Sequence, residues 1–289
     1  MKELLAVAGI AALGAAAAGV AVLRTKLFDA SAPTLPAAAI QQELRLHHTL
    51  RDLAQRRVHP GTVTGLALTV GVGAVVLGAA AVGLILLSIR SGAGPASADV
   101  PLARWAAANS SDTATLWLST LSHFGGTDGV VAPALLIAGY EILRHRAWSV
   151  LGFLTLTVGG QFAVSNAVKW TVERARPDLL QLGGFAGTSF PSGHATAAAA
   201  SYAAFALVLS RRHSRRTAAL LAAVATAIAF ATAATRVLLG VHWTTDVIAG
   251  VFLGWAWFAL ASVAFGGRLL TFGQPAAVAE RLAPSAPAR

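Results

Sequence analysis

Three short stretches of this chain carry residue types suited to chemistry on an anion. One reads Lys169-Trp-Thr-Val-Glu-Arg-Ala-Arg176-Pro177. The next is Phe190-Pro191-Ser192-Gly193-His194, directly before an apolar run, and the last runs from Thr235-Arg236 through His242 to Asp246, again leading into an apolar run. Lys169, Arg176 and Arg236 supply three positive charges, two of them guanidinium forks that match phosphate oxygens. Ser192 and Gly193 stand where a helix begins, so a hydroxyl, a backbone N–H and the positive end of the helix dipole can face one anion. His242 and Asp246 are four residues apart and share a face if both are helical. A carboxylate on one imidazole nitrogen fixes the tautomer and leaves the other nitrogen free to attack. His194, from a different element, can then protonate a leaving oxygen.

The elements that must position these groups are membrane helices. Of 289 residues 56% are hydrophobic and only 12% charged, against about a quarter charged in soluble domains. Apolar runs cover Leu4–Leu23, Gly61–Ile89, Val130–Leu143, Trp148–Val168, Ala195–Ser210, Thr217–Ala234 and Val247–Gly266. A bilayer span takes about 20 such residues. Val130–Leu143 is short and contains Pro133, so it needs flanking residues such as Gly125–Gly129. The expected fold is all-α: a polytopic bundle with a six-helix core over residues 61–266 and an additional N-terminal hydrophobic segment over residues 1–23. That first segment is either a retained span or a cleaved leader; its length and the absence of a cleavage context before Arg24 favour the span.

Residues 24–60 read as a cytoplasmic connector, with a short surface helix over Gln41–Arg57. Residues 90–128 form a second connector, in which Leu116, Trp117 and Leu118 suit a membrane interface. The Ala/Pro-rich tail, 267–289, reads as disordered and cytoplasmic. The net charge of +10 does not indicate nucleic acid, because the basic residues sit in short clusters between spans. Such clusters serve topology and anionic headgroups. Counting from the Gly61 run places the Arg-rich segments 24–60, 144–146, 211–216 and the tail on one side, the cytoplasmic one. The three chemistry-bearing stretches then share the opposite face, where Lys169, Arg174, Arg176 and Arg236 run against the topological bias. There is no cysteine, which excludes disulfides and thiolate metal sites. No cofactor is expected.

Together the three stretches resemble the signature of the type 2 phosphatidic acid phosphatase superfamily, which includes the vanadium haloperoxidases. Lys169 with Arg176-Pro177, then Pro191 to His194, then Arg236 with His242 and Asp246 match its pattern in type and spacing; Thr235 stands where serine is usual. The resemblance covers residues 60–266. It implies that Lys169, Arg176, Ser192, Gly193 and Arg236 hold phosphate, and that His242, oriented by Asp246, becomes a phosphohistidine. It further implies that His194 acts as general acid and later activates water, and that no metal takes part. The implied substrate is a lipid phosphate or diphosphate, such as phosphatidic acid or a polyprenyl (undecaprenyl) diphosphate carrier. The arginine distribution puts the expected site on the extracytoplasmic side, and the Ala/Arg-heavy composition suits a bacterial plasma membrane.

Simpler readings exist for each part. A cation at a span end is usually a snorkelling anchor, Trp170 and Trp243 suit an aromatic belt, and Pro191-Ser192-Gly193 suits a turn and N-cap. His242 with Asp246 can also hold a metal, although no further clustered ligand completes a set. Glu173, Arg174 and Asp178 read as solvated, with Arg174 near enough to assist, and His47, His48, His59, His123, His145 and His213 read as loop or interfacial residues. No simple reading accounts for all three stretches at once. Two rivals stand beside the phosphatase. One is a vanadate-dependent haloperoxidase, which the spans disfavour because those relatives are soluble. The other is a non-catalytic lipid-phosphate binding or transport protein, which has no use for the two histidines and the aspartate.

Overall fold

The computed structural model describes residues 2–24, 63–179, 182 and 187–269, and every described element is helical. The proposed surface helix at Gln41–Arg57, His47, His48 and His59, most of the 24–60 connector and most of the tail lie outside the described residues. In chain order the helices are α1 (Lys2–Arg24), α2 (Val63–Ser91), α3 (Asp99–Asn109), α4 (Asp112–Ser122) and α5 (Thr127–His145). They continue with α6 (Trp148–Leu154), α7 (Gly160–Val172), α8 (Gly193–Ser210), α9 (Arg215–Leu238) and α10 (Thr244–Leu269). A π-helical turn, Thr155–Gly159, joins α6 and α7 into one span.

Among the described residues five spans are long and apolar enough to cross a bilayer, and Asp112–Gly125 with Thr127–His145, bent by 45°, make a sixth if they act as one. The chain is therefore an integral membrane protein with several spans. The apolar run at Val130 does extend backward, to Thr127. Pro133 lies inside that helix and removes the N–H that would reach the Gly129 carbonyl. The Tyr202 hydroxyl donates to that carbonyl instead, at 3.1 Å. A backbone carbonyl left unpaired in hydrocarbon is costly, so the hydroxyl from α8 makes the proline tolerable. In the π-turn, Trp257 of α10 likewise donates its indole N–H to the Leu156 carbonyl, at 3.1 Å.

Helix α8 is the axis of the bundle. Ala195, Ala197, Ala198, Ala199 and Ala200 are all buried, and α8 packs against α7, α9, α10 and α5. Its small side chains let backbones approach closely, the usual basis of helix association in lipid. Gly250 and Gly254 of α10 face it. A Cβ at Gly250 would lie 2.7 Å from the Ser192 carbonyl oxygen, and one at Gly254 2.5 Å from that of Thr196. The first turns of α8 and α10, which carry His194 and Asp246, are thereby held side by side.

The connector 90–128 is more ordered than its Gly/Ser-rich composition indicates. Helices α3 and α4 lie within it, and Ala106 and Leu118 pack with Leu238, Leu239 and Val241 in one apolar cluster. Leu116 and Trp117 are exposed as an interfacial position requires, whereas Leu118 turns inward. Helix α1 runs along α9, with Gly14 seated against the ring of Phe230.

Candidate active site

The site is assembled from the N-terminal ends of α8 and α10, the C-terminal ends of α7 and α9, and the segment between α7 and α8. Ser192 is the N-cap of α8, and its side chain accepts from the Ala195 N–H. The turn-and-cap reading is thus met, and the cap is also part of the site: the Ser192 N–H donates to the Asp246 carbonyl at 3.0 Å, tying the two helix starts together. Gly193 and His194 follow in the first turn of α8, where free N–H groups and the dipole favour an anion. His194 Nε2 lies 3.8 Å from where a Cβ on Gly126 would stand. The turn His123–Gly125 therefore packs on the start of α8, so His123, read from sequence as a loop or interfacial residue, stands at the rim of the site.

His242 and Asp246 are not both helical. His242 lies in the bend before α10, and Asp246 sits in the first turn of α10. Their side chains still meet, with Nδ1 to Oδ2 at 3.5 Å, because the Asp246 carboxylate curls back over the helix start. It accepts the Trp243 N–H at 2.9 Å, as an acidic third residue does in a capping box. Ser189 donates to the same Oδ2. Both His242 and Asp246 are buried. Burial pushes the His242 imidazole down to about 4, against the upward pull of the Asp246 carboxylate. The ring is therefore neutral at neutral pH, with a lone pair on Nε2.

Arg176 stands directly in front of that lone pair, its Nη1 3.2 Å from His242 Nε2. The same guanidinium donates to the carbonyls of Gly187, Val241 and Thr188 at 2.9, 2.7 and 3.1 Å. Burial lowers its hold on its proton, and the Asp246 carboxylate works against that. Lys169 Nζ reaches the Thr188 carbonyl at 2.7 Å, so Lys169 and Arg176 converge on one backbone oxygen. Arg236 is buried at the end of α9 and donates to Ser122 Oγ at 2.8 Å. Thr235 keeps its hydroxyl bonded to the Thr232 carbonyl at 2.7 Å, away from the cradle. Guanidinium and imidazole in contact, with a lysine alongside and a helix N-terminus opposite, can hold a tetrahedral anion and present a nitrogen to its centre. Among the described residues no group of three or more His, Asp or Glu side chains is placed to hold a metal ion.

Sequence reasoning missed several partners. Arg174, read mainly as solvated, is only 16% exposed and bridges Asp246 Oδ1 at 2.6 Å and Asp99 Oδ2 at 2.8 Å. Glu173 and Asp178 are exposed as expected. Trp243 is not simply a belt residue: Arg174 stacks on its ring at 5.5 Å, and its indole N–H donates to the Ala175 carbonyl. Trp170, by contrast, is exposed. Ser122, Thr188, Ser189 and Thr245 carried no readable signal. Arg174 did carry one, as a fourth cation on a face where cations are disfavoured.

A profile of the PAP2 superfamily matches residues 148–269. The chain is 33% identical over 164 residues to a lipid A 1-phosphatase of Rhizobium johnstonii, a match covering 48% of this chain and 63% of that protein. It is 30% identical over 164 residues to phosphatidylglycerophosphatase B of Bacillus subtilis, covering 54% and 77%. To a decaprenylphosphoryl-5-phosphoribose phosphatase of Mycobacterium tuberculosis it is 35% identical over 156 residues, covering 51% and 78%. The fold is similar to the crystal structure of a transmembrane PAP2-type phosphatidylglycerolphosphate phosphatase from Bacillus subtilis, with a TM-score of 0.60 and 26% identity over 66% of this chain and 96% of that one.

Proposed function

This chain belongs to the PAP2 superfamily, and from that premise we propose that it is a membrane phosphatase hydrolysing a lipid phosphate or diphosphate through a phosphohistidine on His242. The contact between Arg176 and His242 Nε2, at 3.2 Å, is the observation that carries the reading. It puts a guanidinium fork and a neutral imidazole lone pair at one point, as in-line attack on a bound phosphoryl group requires.

In the first half-reaction His242 Nε2 forms a bond to phosphorus as the bond to the lipid oxygen breaks. His194 gives its proton to that oxygen, and the lipid alcohol, or lipid monophosphate, departs. In the second, His194 takes a proton from water, the water oxygen bonds to phosphorus, and the N–P bond breaks to return His242 and release phosphate. Lys169, Arg176 and Arg236, with Ser192 and the Gly193 N–H, stabilise the charge that spreads over the equatorial oxygens. Asp246 holds the Nδ1 proton and steadies the imidazole.

The relatives' names share a phosphate on a lipid rather than any one headgroup, and the proposed substrate is drawn at that level. We place the site, within a phosphatase unit of residues 61–266, on the extracytoplasmic side of a bacterial plasma membrane, following the arginine-rich segments at the opposite end. Phosphate release by detergent-purified protein tests the reading, with phosphatidic acid, phosphatidylglycerolphosphate and a polyprenyl diphosphate side by side. Release from at least one, persisting in EDTA and inhibited by orthovanadate, is expected. No release from any of them sinks the phosphatase, and loss in EDTA with rescue by a divalent cation replaces it with a metal enzyme.

A further inference from the structure

Asp99 lies 70 residues or more in sequence from the three chemistry-bearing stretches and outside the residues matched by the superfamily profile. It is nevertheless buried beneath the site. Its Oδ1 accepts the Thr245 N–H at 2.9 Å, and its Oδ2 accepts the Thr245 hydroxyl at 2.6 Å and Arg174 Nη2 at 2.8 Å. Arg174 gives its other nitrogen, Nη1, to Asp246 Oδ1 at 2.6 Å and to Thr245 Oγ1 at 2.7 Å. One guanidinium is thus divided between two buried carboxylates, one nitrogen each.

The division matters for Asp246, whose two oxygens have separate surroundings. Oδ1 faces Arg174, and Oδ2 faces Ser189, the Trp243 N–H and His242 Nδ1. A guanidinium prefers to grip a carboxylate with both nitrogens. Were Arg174 to take both oxygens of Asp246, the carboxylate would turn from the imidazole, which it meets only at 3.5 Å as it is. Asp99 holds back one arm of the fork. Its bonds to the Thr245 N–H and hydroxyl also fix it to the first turn of α10, so the clamp and the helix bearing Asp246 move as one.

We infer that Asp99 is a positioning residue for the reaction: by holding Arg174 to single-nitrogen contact with Asp246, it keeps the Asp246 carboxylate turned toward His242. The connector helix α3 then acts on the reaction through Arg174 and Asp246. The inference rests on the phosphatase reading above.

Asp99→Asn preserves shape and an acceptor oxygen while removing the charge that competes for Arg174. The test measures radiolabelled phosphate release from whichever lipid phosphate the wild-type protein hydrolyses, so that the slow Asp246→Asn background is still quantified. In Asp99→Asn, kcat should fall about 10- to 100-fold, the range usual for residues that orient a reacting group, with KM changed less than about threefold. Inhibition by orthovanadate should be retained, because the cationic cradle is untouched. In the Asp246→Asn background the same Asp99→Asn change should cost less than about twofold, since its effect runs through the missing carboxylate. An Asp99→Asn protein with wild-type kcat overturns the inference. So does an equal loss in both backgrounds, or a loss of kcat matched by loss of vanadate inhibition and a lowered melting temperature. A wild-type protein that releases no phosphate from any lipid phosphate removes the phosphatase reading itself, and this inference with it.

Discussion

At the scale of single residues, the proposed chemistry depends on keeping an imidazole neutral inside a cluster of cations. Burial does most of that, and Asp246 recovers part of the lost basicity without charging the ring. His242→Ala removes the nitrogen that would bond to phosphorus, and turnover should drop by at least about a thousandfold, as loss of a nucleophile does elsewhere. Expression and membrane insertion should persist, since His242 lies in the bend before α10, outside the membrane-spanning helices. An alanine variant with near-normal release of phosphate excludes His242 from the mechanism. The pH dependence has a definite sign. Above about 4 the His242 ring is neutral and can attack; below it the imidazolium has no lone pair. The acid limb of kcat/KM, which reports the free enzyme, should therefore lie near pH 4, once corrected for the substrate phosphate's own ionisation near about 6. A corrected limb near 6.5, the value of an unburied imidazole, would contradict this.

At the scale of elements, the site exists because α8 and α10 approach closely enough to share a hydrogen bond at their starts. The Ser192 N–H meets the Asp246 carbonyl, and this is possible only where Gly250 and Gly254 present no side chain to α8. Gly254→Leu should wedge the helices apart at the Thr196 carbonyl, costing about 1–3 kcal/mol as overpacking generally does. Activity should fall together with thermal stability, read by unfolding of the detergent-solubilised protein. If Gly254→Leu keeps both, the close approach is not what holds the helix starts together. The tie between α5 and α8 is of the same kind. Pro133 leaves the Gly129 carbonyl without its helical donor, and Tyr202 supplies one from the neighbouring helix.

At the scale of the whole molecule, polar groups separate to the two ends of the bundle. The proposed site occupies one end; at the other, Arg211 pairs with the buried Glu141 at 2.7 Å, joining the end of α5 to the end of α8. Burial depresses the Arg211 guanidinium and Glu141 opposes that, so this arginine is a structural partner as well as a member of a basic cluster. The orientation proposed from the arginine distribution has the site end outside the cytoplasm. The chain has no cysteine, so introduced ones report without background. A cysteine replacing the exposed Asp178 should react with a membrane-impermeant maleimide in intact cells, and one replacing His213 should react only after permeabilisation. The opposite pattern would invert the proposed orientation.

The sequence by itself determined that this is a helical membrane protein, and it named the cations, histidines and aspartate that gather at one end of the bundle. Those features are legible because each is local. A span is a length of apolar residues, and each chemistry-bearing stretch is a run of a few positions beside a helix end. Tertiary structure decided what meets what. It brought Arg176 to His242, turned Asp246 back over its own helix start, drew Arg174 out of solvent, and placed Asp99 from the connector beneath them all. Hydrogen bonds between residues 70 or more positions apart leave no periodicity and no spacing in the chain. They are set by how helices pack, and at α8 and α10 that packing follows from which positions lack a side chain.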